Sequence, residues 1–192
     1  MSKGVINGEQ GQQYLDEFEN QWILCYKNVI VDAAEMYDIP PYMLAGVLKI
    51  ELGGDPLWID DPAYILRKFV YGQKRADQTS FGNISMQVGT AADTLDYNYQ
   101  FLTNYSRDAI INSLKDNIQG IYIAAKHLSY LRNIDYKGMG AVDLTEEQVR
   151  NIATRYNLGP SKSLNEIENT SGYGQHVVNF RKTLEEILYG EE

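Results

Sequence analysis

The sequence predicts an all-α fold built around one core. Apolar residues recur at steps of three and four along most of the chain, and no segment alternates with the period of two that a half-buried strand requires. A hydrophobic share of 44% in 192 residues is enough for one substantial core. Charged residues make up 22%, which excludes wholesale disorder. Lys and Arg number 17 against 26 Asp and Glu, a formal net charge of −9. Nucleic-acid binding needs a basic face, so no nucleic-acid partner is expected, nor a general attraction to an anionic membrane or wall. The single cysteine, Cys25, and two histidines, His127 and His176, supply neither a disulfide nor a zinc set, and no metal or cofactor is expected.

Residues 1–14 read as an N-terminal extension and 15–192 as one domain. The opening has one lysine and no apolar run of the signal-peptide kind, so synthesis in the cytoplasm with delivery by another route is the expectation. The longest uncharged apolar stretch, Ile39 to Leu48, spans about half a bilayer, so membrane insertion is not expected.

The first helix follows from Leu15, Phe18, Trp22, Cys25, Tyr26, Val29, Ile30, Ala33 and Tyr37, a continuous stripe that puts Cys25 in the core. The second starts at Pro40-Pro41 and stops at Gly53-Gly54. Asp61-Pro62 opens a short helix to about Tyr71, and 72–83 reads as a loop. Thr90 and Ser106 are expected to cap the next two helices, and a longer one runs from Asp116 to Leu131. After a glycine-rich loop, Thr145 to Gln148 forms a capping box for a helix carrying Val149, Ile152, Ala153 and Tyr156. The last helix is expected over Gly174 to Leu188.

One residue breaks the pattern. Leu44, Val47 and Leu48 form an apolar stripe, and three further on lies Glu51, in the last turn before two glycines. Burial and the negative end of the helix dipole both disfavour its charged form. A carboxyl that keeps its proton near neutral pH is what a general acid for glycosidic cleavage requires. A glutamate fraying into solvent at a helix end has the same local pattern.

Three segments in order bear on that choice: IPPYMLAGVLKIELGG from Ile39 to Gly54, SFGNISMQVGTA from Ser80 to Ala91, and ATRYNLGP from Ala153 to Pro160. Together they resemble the soluble lytic transglycosylase and goose-type lysozyme-like superfamily, over about residues 37–188. The resemblance implies a lysozyme-like helical domain with a cleft that cuts the MurNAc-β-1,4-GlcNAc bond of peptidoglycan. Glu51 would be general acid and then base. Met86 and Gln87 would line the cleft, Ser80 and Gly82 would shape the loop over it, Tyr156 would reach toward the Glu51 carboxyl, and Asn157 would hold the turn. Leu52 stands where the family usually has serine, and the second motif is longer than the common form, with Ser85 a candidate to restore some polarity.

Glycoside hydrolysis ordinarily needs a second carboxylate about 5–9.5 Å from the first. None follows Gln87; Asp77 is the reserve candidate, while Asp61 reads as a cap and Asp55 as part of a turn. A lone acid/base assisted by the substrate's N-acetyl group fits a lytic transglycosylase better than a hydrolytic muramidase. A binding module that keeps the fold without cleavage, and a chitin-like substrate, stay open. His127 and His176 are expected to be structural or superficial, and Tyr97, Tyr99 and Tyr105 to pack rather than stack on sugars. The implied setting is the periplasm or cell wall, reached by phage lysis, a specialised secretion carrier or export within a larger chain. An effector of that kind needs a cognate immunity protein.

Overall fold

The computed structural model describes residues 9–53 and 73–190. These are mostly helical, with one minimal β-hairpin, and no helix among them is long and apolar enough to cross a membrane. In order they are α1 (Glu9–Cys25), α2 (Lys27–Met36), α3 (Pro41–Leu52), α4 (Gln73–Ala76), β1 (Ser80–Phe81), β2 (Met86–Gln87), α5 (Val88–Thr94), α6 (Asn104–Lys115) and α7 (Asn117–Asp135). Then follow α8 (Glu146–Leu158), α9 (Leu164–Asn169), α10 (Gly172–Asn179) and α11 (Arg181–Tyr189). The helix expected near Asp61 lies outside the described residues.

Helix α3 is the centre. Every residue from Tyr42 to Lys49 is buried, and α1, α2, α7, α8, α10 and α11 all pack on it. A helix apolar on all sides is stable only when wrapped, and one continuous apolar cluster runs from Ile23 to Leu188. Pro41 occupies its first position, where a missing N–H costs nothing.

The expected helix 15–37 divides at Tyr26, and α1 begins at Glu9, inside the expected extension. Cys25 is exposed and Phe18 is half exposed, contrary to the stripe. The face of α1 toward α3 carries Glu19, Asn20 and Ile23, with Asp16 at its exposed edge, while Trp22 of the stripe also packs on the core. Lys49, buried on α3, reaches it through Nζ contacts of 2.6 Å to Asp16 Oδ1, 2.7 Å to Asn20 Oδ1 and 3.2 Å to Glu19 Oε2. A hydrophobicity pattern misses a face held by a buried ammonium and its acceptors.

The segment expected as a loop carries α4 and the hairpin, in which Ser80 pairs with Gln87 and Phe81 with Met86. Two residues per strand are too few to show alternation. Thr90 is not a cap: Gln87 precedes α5, and Thr103 rather than Ser106 caps α6. Asp116 caps α7, and the Thr145–Gln148 box forms with both reciprocal bonds, of 2.9 and 3.3 Å. The last expected helix is two, α10 and α11, meeting at Phe180.

Candidate active site

Five pieces converge on one cleft: the end of α3, the hairpin, the first turn of α5, the middle of α7, and the end of α8 with the turn after it. The cleft is about 530 Å³, within the usual size of a ligand site. Glu51, Ser80, Met86, Gln87, Tyr156 and Asn157 all line it, so six of the eight residues singled out from sequence meet there.

Burial pushes the Glu51 carboxyl above the ordinary carboxylate range, while hydrogen bonds from Tyr173 and Ser85 pull against it. Tyr173 donates its hydroxyl to Glu51 Oε1 at 2.6 Å. Burial first, and then the neighbouring Glu51 charge, push the Tyr173 phenol far up, so it remains a donor. Tyr173 sits at the start of α10, one residue before the expected helix and four positions before Val177, in phase with its stripe. Its placement depends on Gly174, where a Cβ would run into the Arg150 carbonyl oxygen of α8. The Gly174 N–H donates to Thr154 Oγ1 at 3.2 Å, locking the two helices at close range.

Tyr156 does not hold the acid directly. Its hydroxyl donates to the Ile84 carbonyl at 2.8 Å, across 72 positions of sequence. A phenol has one proton, and this one secures the hairpin tip. Next to Ile84 stands Ser85, at φ 46°, a left-handed conformation that non-glycine residues adopt rarely. Its N–H donates to the Gly82 carbonyl at 3.1 Å. Ser85 lines the cleft beside Glu51, and its hydroxyl side chain holds the Glu51 pKa down against burial. Tyr156 thus ties the end of α8 to the tip of the hairpin.

Gly82 lies beneath the site rather than in its lining. With φ 72° and a virtual Cβ colliding with the Leu114 carbonyl, only glycine fits. Asn83 Nδ2 donates to Asn117 Oδ1 at 2.8 Å, and Asn117 Nδ2 donates to the Tyr26 hydroxyl at 2.8 Å, which anchors the hairpin to α7 and to the α1–α2 junction.

Asp77, the reserve candidate for a second carboxylate, does not line the cleft. It is buried and accepts from Gln73 Nε2 at 2.6 Å, the Tyr99 hydroxyl at 2.9 Å and Arg107 Nε at 3.1 Å. Among the described residues Glu51 is the only carboxylate lining the cleft. Asp55 and Asp61 lie outside the described residues.

The far wall is the turn after α8. Arg155 is buried beneath it and grips Asp135 through two bonds, Nε to Oδ2 at 2.8 Å and Nη2 to Oδ1 at 2.9 Å. Its Nη1 donates to the carbonyls of Pro160 at 3.1 Å and Lys162 at 2.6 Å. Asn157, Leu158, Gly159 and Pro160 are held in the wall by that fork. His127, expected to be structural, also lines the cleft.

No family model, no curated protein and no solved structure matches this chain.

Proposed function

We propose that this protein cleaves the glycan strands of peptidoglycan at the MurNAc-β-1,4-GlcNAc bond, as a lytic transglycosylase with Glu51 as its acid/base and a lysozyme-like fold. The observation that carries the reading is a half-buried carboxyl with a raised pKa, held by the Tyr173 hydroxyl in a cleft with no second carboxylate among its described residues. The protonated Glu51 gives its proton to the glycosidic oxygen as the C1–O bond breaks. The acetamido oxygen of the muramoyl sugar attacks C1 and takes the place of the missing nucleophile, as in substrate-assisted glycosidases. Glu51, now a carboxylate, removes the proton from the C6 hydroxyl of the same sugar. That oxygen displaces the acetamido oxygen at C1, giving a 1,6-anhydro end and regenerating the acid. Tyr173 holds the carboxyl in one rotamer through both steps, with Ser85 beside it in the cleft.

The test is mass spectrometry of muropeptides released from purified sacculi. A product lighter by one water than the hydrolytic product supports this route; a reducing end identifies a hydrolytic muramidase instead. Glu51→Gln should lower turnover by about 10²–10⁴. Binding to sacculi with no release by the wild type would leave a glycan-binding module.

A further inference from the structure

We propose that His127 recognises the substrate, its unprotonated Nε2 in the cleft accepting a hydrogen bond from the acetamido N–H of a bound sugar. This deepens the glycan-cleaving reading and rests on it, by naming a residue that selects N-acetylated sugars.

The tautomer follows from Thr94. Its hydroxyl donates to the Thr90 carbonyl at 2.7 Å, and the same oxygen lies 2.8 Å from His127 Nδ1. One hydroxyl proton cannot serve both. Both contacts are made together only if Nδ1 carries hydrogen and donates to Thr94, which leaves Nε2 bare. His127 is 4% exposed, and burial holds its pKa down to about 4, so the ring stays neutral.

Nε2 has no partner among the described residues, yet it is not one of the sealed, unsatisfied polar atoms. The residue lines the cleft, so the bare lone pair faces the space that the substrate enters. The ring is held on two sides, edge-on to Tyr156 at 5.5 Å and stacked on Tyr130 at 5.9 Å between centroids. A buried, oriented acceptor with nothing to accept is incomplete until a donor arrives. An acetamido group offers a donor-only N–H for Nε2 and a methyl for the Met86 and Leu158 surfaces of the same cleft.

The test uses the full chain uniformly labelled with nitrogen-15 and chitotetraose, labelled with nitrogen-15 at its acetamido groups, as probe. In the free protein the His127 signal should be the Nδ1–H tautomer. With probe, Nε2 should shift toward the hydrogen-bonded position and show a coupling to an acetamido nitrogen across the bond. Chitotetraose binding should weaken about fivefold in His127→Phe, the value of one hydrogen bond. Thr94→Val, which leaves the cleft lining intact, should mix the tautomers and weaken binding by a smaller factor. A protonated Nε2 in the free protein overturns the inference. So does an unmoved Nε2 while the Gln87 and Asn157 side-chain amides shift, an outcome that leaves the glycan reading standing. If no cleft signal responds to the probe, the glycan reading has failed and the inference falls with it.

Discussion

Glu51 couples chemistry to stability, because its folded pKa is raised above the unfolded value. The fold prefers the neutral acid. No cost arises below the unfolded value, and the cost of a buried charge appears as pH rises through the folded one. Glu51→Gln should therefore exceed the wild type in stability at neutral pH, by ~1.4 kcal/mol for each pH unit that separates the folded from the unfolded titration. Melting curves across pH read this directly; the gap should close toward about pH 4, the ordinary range of a free glutamate, and a gap constant with pH would sink the linkage. Wild-type turnover should fall as pH rises through the same titration, since only the protonated form is an acid. The two tyrosines separate by pH profile. Tyr173→Phe removes a bond that lowers the Glu51 pKa, so the limb where activity falls should move to higher pH, with turnover down about tenfold. Tyr156→Phe leaves the Ile84 carbonyl without its phenol and should cost ~1 kcal/mol of stability, with the limb much less displaced.

At the scale of elements, the site is set by how closely α10 approaches α8 and by how the turn after α8 is held. Gly174→Ala puts a methyl into the Arg150 carbonyl and should destabilise by ~1–3 kcal/mol in urea unfolding. It should also lift Tyr173 from Glu51, so its pH profile should resemble that of Tyr173→Phe; a normal profile with lowered stability would show that the acid does not depend on this contact. Arg155→Met strands the Asp135 carboxylate, of which only 10% is exposed, and should cost ~3–5 kcal/mol. Hydrogen exchange at the Gly159 amide, now bonded to the Arg155 carbonyl at 2.8 Å, should quicken as the cleft wall loosens.

For the whole molecule, one apolar cluster joins helices from α1 to α11, with α3 at its centre. A shared core predicts cooperative, two-state unfolding. Far-ultraviolet circular dichroism and aromatic fluorescence should lose their signals at the same denaturant concentration. Lys49→Met should lower that midpoint, because it frees the polar face of α1 while deleting the buried ammonium. Separate transitions would mean that α1 and α2 unfold independently of the rest.

What the residues declare by themselves is whatever depends on neighbours in sequence. The start of α3 at Pro41, the capping box at Thr145 and the glutamate at the end of α3 are local events, and each was legible. The lining positions Ser80, Met86, Gln87, Tyr156 and Asn157 were legible through motif order rather than periodicity. The misassigned features are those fixed by distant partners. Cys25 was expected inside because a stripe cannot tell that Lys49 will bind the opposite face of α1. Asp77 had the right residue type for catalysis, and only three-dimensional contact with Gln73, Tyr99 and Arg107 makes it an anchor. Tyr173 lies 122 positions from Glu51 and Tyr156 lies 72 from Ile84, so no local pattern shows which tyrosine takes the carboxyl. Side-chain type and helical phase were written in the sequence; the choice of partner for each buried proton was made by helix packing, because a hydrogen bond forms only where folding places donor and acceptor within about 3 Å.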